Sequence, residues 1–84
     1  MEETIAKNIY EWMKKAQSSN DPYDINQAIK AASAVKDRDN KIILSILDIL
    51  VSKYNITIAT RKTNIGSAVV IENGLKYKNL VIQI

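Results

Sequence analysis

Four cationic side chains in the last third of the chain have types and positions that could bind phosphate. They are Arg61, Lys62, Lys76 and Lys78. Residues 53–84 hold five Lys and Arg against a single acid, Glu72, whereas residues 1–52 hold seven Lys and Arg against eight acids. Because clustered cations at flexible tips neutralise backbone phosphates, this set predicts electrostatic nucleic-acid binding with weak sequence specificity. The same cations also fit a solvated strand that lysine keeps soluble and protects from edge pairing.

The sequence offers no exposed aromatic residues near these cations that would support nucleic-acid binding. Single-stranded nucleic acid is usually bound by exposed aromatic rings on which its bases stack. After residue 55 the chain has one aromatic residue, Tyr77, and its strand pattern points it inward. We therefore expect phosphate contacts without a stacking platform.

The remaining polar residues do not form a catalytic or metal-binding pattern. Four carboxylates invite such an interpretation, namely Asp21, Asp24, Asp37 and Asp39. The first two are better explained as helix caps, and the other two alternate with cations that neutralise them. The chain has no Cys and no His, which excludes Cys/His zinc sites, Cys nucleophiles and serine mechanisms that use His as base. We predict a protein that is not an enzyme and holds neither metal nor cofactor.

Two amphipathic helices are predicted in the first half of the chain. The first spans about residues 3–17, and its buried stripe comprises Ile5, Ile9, Trp12, Met13 and Ala16. The second spans about residues 22–35, and its stripe comprises Ile25, Ala28, Ile29, Ala32 and Val35. Either Asp21, followed by Pro22, or Asp24 can cap the second helix.

The stretch KIILSILDILVSKY, residues 41–54, predicts a third helix at the centre of the fold. Eight of the ten residues 42–51 are aliphatic, and the polar residues Lys41, Ser45, Asp48 and Ser52 recur at steps of four, three and four. A helix with so narrow a polar stripe needs cover on most of its circumference. A buried strand is the competing interpretation, but the length and the polar spacing favour a helix. Asp39 or Asn40 is its expected N-cap.

After residue 55 the pattern changes from helical to alternating, which predicts three strands. They cover about residues 56–61, 67–72 and 75–84, and a loop spans residues 62–66. Asn73-Gly74 predicts a two-residue type I′ turn between the second and third strands. That turn places Glu72 opposite Leu75, Ile71 opposite Lys76, Val70 opposite Tyr77 and Val69 opposite Lys78.

The predicted turn leaves one inconsistency in the third strand. Leu75 and Tyr77 face the expected core, but Leu80, Ile82 and Ile84 are out of phase with them. Either a bulge lies near Lys78-Asn79, or both faces of the strand are partly buried towards its end.

These elements predict a single α+β domain over residues 1–84, with three helices packed on a three-stranded antiparallel meander. The order ααα-βββ resembles a winged-helix domain in outline, and residues 61–66 would then form the tip of the wing. Such domains read DNA with an exposed polar face of the third helix. Here that face is narrow and contains Asp48, which would oppose phosphate. The resemblance therefore implies binding through the wing, or binding of protein.

A protein-interaction or homodimerisation module is the alternative function. A chain of 84 residues has little surface with which to cover a helix that is apolar on nearly three sides, and any remainder would form a two-fold interface. A viral or plasmid protein that binds a host factor also fits. The N-terminus is unlike a signal peptide, and the longest apolar run, residues 42–51, is too short for a membrane span. We expect a cytoplasmic protein.

Overall fold

Three helices precede a three-stranded antiparallel sheet in the computed structural model, which describes all residues 1–84. The elements are α1 (Glu2–Ser19), α2 (Pro22–Ser33), α3 (Asn40–Tyr54), β1 (Thr57–Ile65), β2 (Ala68–Tyr77) and β3 (Leu80–Gln83). This confirms the predicted α+β class and the order ααα-βββ. None of the helices combines the length and the apolar character needed to cross a membrane.

Short polar side chains set the helix boundaries. The Asp21 carboxylate accepts a hydrogen bond of 2.9 Å from the backbone N–H of Tyr23, and Pro22 is the first helical residue of α2. The Asp39 carboxylate accepts an equivalent bond from Lys41 at the start of α3. Each cap satisfies a backbone donor that has no partner within the helix. The alternatives that the sequence left open are thus decided in favour of Asp21 and Asp39.

The centre of the fold is α1 rather than α3. α1 packs against α2 and α3 and also touches β2 and β3. Its buried residues are Ala6, Ile9, Met13 and Ala16. The prediction of a central third helix is wrong, because the main neighbours of α3 are α1 and β1 alone. Only Ile46 and Leu50 of α3 are fully buried, while Leu44 and Val51 stay 66% and 44% exposed.

The sheet is a meander in which β2 lies between its two partners. β1 pairs with β2 along its whole length, from Thr57 opposite Lys76 to Ile65 opposite Ala68. β3 is much shorter and pairs only with the last four residues of β2. The far part of the β1–β2 hairpin, residues 60–73, therefore extends beyond the third strand. We call this part the protruding hairpin.

Both turns of the sheet lie away from Asn73-Gly74, so the prediction of a type I′ turn there is wrong. These residues lie inside β2, and the strands reverse at Gly66-Ser67 and at Lys78-Asn79. The strand bounds and cross-strand pairs that were predicted from this turn are therefore also wrong. Glu72 lies opposite Arg61, and Leu75 lies opposite Ile82.

The observed turn at Lys78-Asn79 removes the inconsistency in the last strand. It places Tyr77 opposite Leu80 and Leu75 opposite Ile82. Residues opposite each other share a face, so all four side chains lie towards the helices. The burial of Leu80 and Ile82 is therefore explained without a bulge and without two buried faces in the last strand. The gain in apolar burial outweighs the local preference of Asn-Gly for a turn.

Candidate functional site

The four predicted cations do not converge on one site. Arg61 and Lys76 lie on the outer face of the sheet, which points away from the helices, because each alternates with a helix-facing residue of its strand. Lys62 lies opposite Ile71 on the other face. Lys78 lies in the second turn, at the opposite end of β2 from the protruding hairpin. The tip of that hairpin is Gly66-Ser67, which carries no charge.

The outer face of the sheet has a shallow depression over Gly74. Its volume is about 220 Å³, and it is lined by Ala59, Arg61, Glu72, Asn73, Gly74, Val81 and Gln83. Gly74 lies at the bottom of the depression. A Cβ atom at this position would be crowded, because it would lie only 3.0 Å from the carbonyl oxygen of Ile82. Arg61 shares the depression with Glu72, so its charge is partly offset there.

The protruding hairpin also exposes aliphatic side chains. Val69 and Ile71 are 55% and 63% exposed on the helix-facing side, and Ile65 is 65% exposed near the tip. The exposure of Val69 and Ile71 shows that the helices leave this part of the sheet largely uncovered. The hairpin thus offers scattered cations together with an uncovered apolar surface.

A tyrosine cluster lies at the other end of β2, and it was not predicted from the sequence. Tyr10 of α1 stacks on Tyr54 at the end of α3, with ring centroids 4.5 Å apart and an angle of 18° between the planes. The edge of Tyr77, at the end of β2, meets Tyr10 with centroids 5.7 Å apart. Tyr77 does face inward, and there it meets the ring of Tyr10, which in turn stacks on Tyr54.

Three lysines surround this cluster, each with its ammonium over a ring. The distances to the ring centroids are 5.9 Å from Lys14 to Tyr10, 5.7 Å from Lys53 to Tyr54 and 5.4 Å from Lys78 to Tyr77. These distances are within the range of cation–π attraction. The structure therefore brings one predicted cation, Lys78, together with two that were not predicted. No local sequence pattern could have indicated this, because the three rings come from distant elements.

One of these lysines is paired with an acid. The Lys53 ammonium donates a hydrogen bond of 3.2 Å to Oε2 of Glu3. This hydrogen bond is the main reason that the pKa of Lys53 is raised, and the negative charge of the Glu3 carboxylate raises it further. The pair is exposed, so an anion in solution can compete with Glu3 for the ammonium.

Three of the four carboxylates that invited a catalytic interpretation, Asp21, Asp24 and Asp39, serve the ends of helices. Asp24 is buried, accepts a hydrogen bond of 2.8 Å from the Ser19 hydroxyl and lies 3.9 Å from the Lys15 ammonium. It therefore links the end of α1 to the start of α2. No three Asp or Glu side chains lie close enough together to hold a metal ion.

No protein-family model, no curated protein and no solved structure matches this chain. Its function must therefore be argued from its own geometry.

Proposed function

We propose that this protein is a non-enzymatic nucleic-acid-binding protein that contacts phosphates through its β1–β2 hairpin. The observation that carries the proposal is the shape and charge of that hairpin. It projects past β3 and bears Arg61 and Lys62, while Lys76 and Lys78 follow towards its base. Glu72 is the only acid after residue 52. A two-stranded projection with excess positive charge can follow a phosphate backbone without reading bases.

Weak sequence specificity follows from the surface of α3. The exposed residues of this helix include Leu44, Asp48 and Val51. Two of these side chains are aliphatic, and the carboxylate of the third repels phosphate. The exposed cations of α3, Lys41 and Lys53, lie at opposite ends of the helix, so the surface between them lacks the polar, cationic character that reads base edges in the major groove.

A salt titration of binding to a short DNA duplex tests this proposal. With about four phosphate contacts, log affinity should fall with log salt at a slope of about −3 to −4. Arg61→Gln combined with Lys62→Gln should lower the magnitude of that slope by about two, because two contacts are lost. The matched control is Lys30→Gln with Lys41→Gln, which removes the same charge from exposed positions on the helices. Equal losses from the two double variants, or no binding at low salt, would contradict the proposal.

Protein interaction or homodimerisation remains the second candidate function, and one observation favours it. The exposed Val69 and Ile71 form an apolar surface on one face of the hairpin that carries the cations, and Ile65 is exposed on its other face. Such surfaces commonly mark protein interfaces. β1 is also an edge strand along nine residues, which permits strand addition by a partner.

A further inference from the structure

The tyrosine cluster borders an open depression whose lining is rich in hydrogen-bond donors. The depression has a volume of about 330 Å³ and is lined by Tyr10, Lys53, Tyr54, Asn55, Tyr77 and Lys78. Two of these side chains carry a positive charge and none carries a negative one. The outer-face depression over Gly74 differs in this respect, since it contains Glu72.

The hydroxyl groups of the three lining tyrosines are available to a ligand. Tyr23 is the one tyrosine whose hydroxyl hydrogen-bonds within the chain, where it accepts from Gln27. No buried side-chain nitrogen or oxygen lacks a partner. The hydroxyls of Tyr10, Tyr54 and Tyr77 therefore contact solvent. Phenol O–H, ammonium and amide groups are all donors, so an oxyanion is the ligand class that suits this lining.

The backbone at Lys78 fixes the direction in which this side chain leaves the turn. Its φ is 53°, in the left-handed region that glycine or asparagine normally occupies. The turn is fixed further by a hydrogen bond of 3.2 Å from the side chain of Gln17 to that of Asn79. Lys53 is paired with Glu3, and both lysines line the same depression.

We propose that this depression is a binding site for a phosphoryl group, with Lys53 and Lys78 as its charged ligands and the tyrosine hydroxyls as neutral donors. The phosphoryl group could belong to single-stranded nucleic acid, a free nucleotide or inorganic phosphate, all of which share this chemistry. In the first two cases a base adjacent to the phosphate can contact the tyrosine rings. The site does not depend on nucleic-acid binding by the hairpin, because only Lys78 belongs to both sets of residues.

An NMR titration of the isotope-labelled full chain tests the site. The probes are inorganic phosphate, a nucleoside monophosphate and a short oligodeoxythymidine, each compared with sodium chloride at matched ionic strength. All three should shift the resonances of the lining residues, and the shifts should saturate. Oligonucleotide binding about tenfold tighter than phosphate binding identifies single-stranded nucleic acid as the source, and equal affinities identify free phosphate. Shifts no larger than those with chloride would overturn the proposal.

Three single variants separate this site from a general charge effect. Lys53→Gln should weaken phosphate binding about tenfold, since a charge-assisted hydrogen bond is lost. Lys41→Gln is the control, because it removes the same charge from the same helix about 18 Å away. Glu3→Gln should strengthen binding about two- to fivefold, since it removes the internal competitor for Lys53. Equal effects of Lys53→Gln and Lys41→Gln, or no gain from Glu3→Gln, would overturn the assignment of Lys53.

The hairpin provides the remaining control. Arg61→Gln should leave phosphate binding in the depression unchanged, although the nucleic-acid proposal expects it to weaken duplex binding. If Arg61→Gln loses duplex binding but phosphate still shifts the resonances of the depression, the hairpin and the depression are separate sites. Loss of phosphate shifts in Arg61→Gln would overturn the depression as an independent site.

Discussion

Lys78 occupies a backbone conformation that glycine adopts more readily. A side chain at positive φ crowds its own carbonyl, and for most residues this costs on the order of 1 kcal/mol. The chain tolerates that strain in a turn that places an ammonium 5.4 Å from the centre of the Tyr77 ring. Strained residues often serve a site rather than the fold. At Lys78, stability and phosphate binding should therefore respond to substitution in opposite directions.

Substitution of Lys78 by glycine should show this opposition. Lys78→Gly should raise the free energy of unfolding by about 0.5–1 kcal/mol, because the relief of strain exceeds the added freedom of the unfolded chain. It should also weaken phosphate binding, because an ammonium is lost from the depression. Urea unfolding and the NMR titration measure the two effects. Asn79→Gly, at a position without positive φ, is the control and should lower stability. A loss of stability in Lys78→Gly would contradict the strain argument.

Residue patterns predicted some of these local features and missed others for a physical reason. Asp21 and Asp39 were recognisable as caps, because capping depends only on neighbouring residues in the chain. The turn at Asn73-Gly74 was predicted on equally local grounds, but the pairing of Leu75 and Tyr77 with β3 decided the register instead. The tyrosine cluster depends entirely on how α1, α3 and β2 pack. Such contacts leave no local spacing in the sequence.

At the scale of elements, α1 and α3 show that apolar width does not determine how deeply a helix is buried. The sequence of α3 is apolar on most faces, yet the helix has only two principal neighbours. α1 has a narrower stripe but contacts four other elements. Periodicity indicates how much of a helix could be covered, whereas topology determines how much is covered. The outer side of α3, at Leu44 and Val51, consequently remains in solvent.

Alanine substitutions in α3 should reflect this one-sided burial. Leu50→Ala should lower the free energy of unfolding by about 2–5 kcal/mol, because a fully buried side chain leaves a cavity. Leu44→Ala should change it by less than about 0.5 kcal/mol, because the side chain is mostly exposed in the monomer. Chemical denaturation at low protein concentration measures both values. Comparable losses at the two positions would show that something covers Leu44.

The whole molecule is more open than a compact monomer of its mass. Its accessible surface is 5702 Å² for 9.5 kDa, whereas folded monomers of this size expose about 5,050 Å². Its radius of gyration is 13.1 Å, against about 11.8 Å for a compact domain of this length. The protruding hairpin and the outer side of α3 contribute to this excess. The surplus of about 650 Å² approaches the roughly 800 Å² that each partner contributes to a standard interface.

The interaction hypothesis makes its clearest prediction at this scale. If a second copy covers the hairpin, sedimentation should show a dimer whose fraction grows with protein concentration. Val69→Thr combined with Ile71→Thr should shift the chain to monomer, because it removes exposed apolar area but keeps β-branched side chains in the strand. Ala68→Thr with Val70→Thr, on the opposite face of the same strand, is the matched control. A strict monomer that binds DNA with the expected salt dependence would leave the cations, rather than the aliphatic residues, as the functional part of the hairpin.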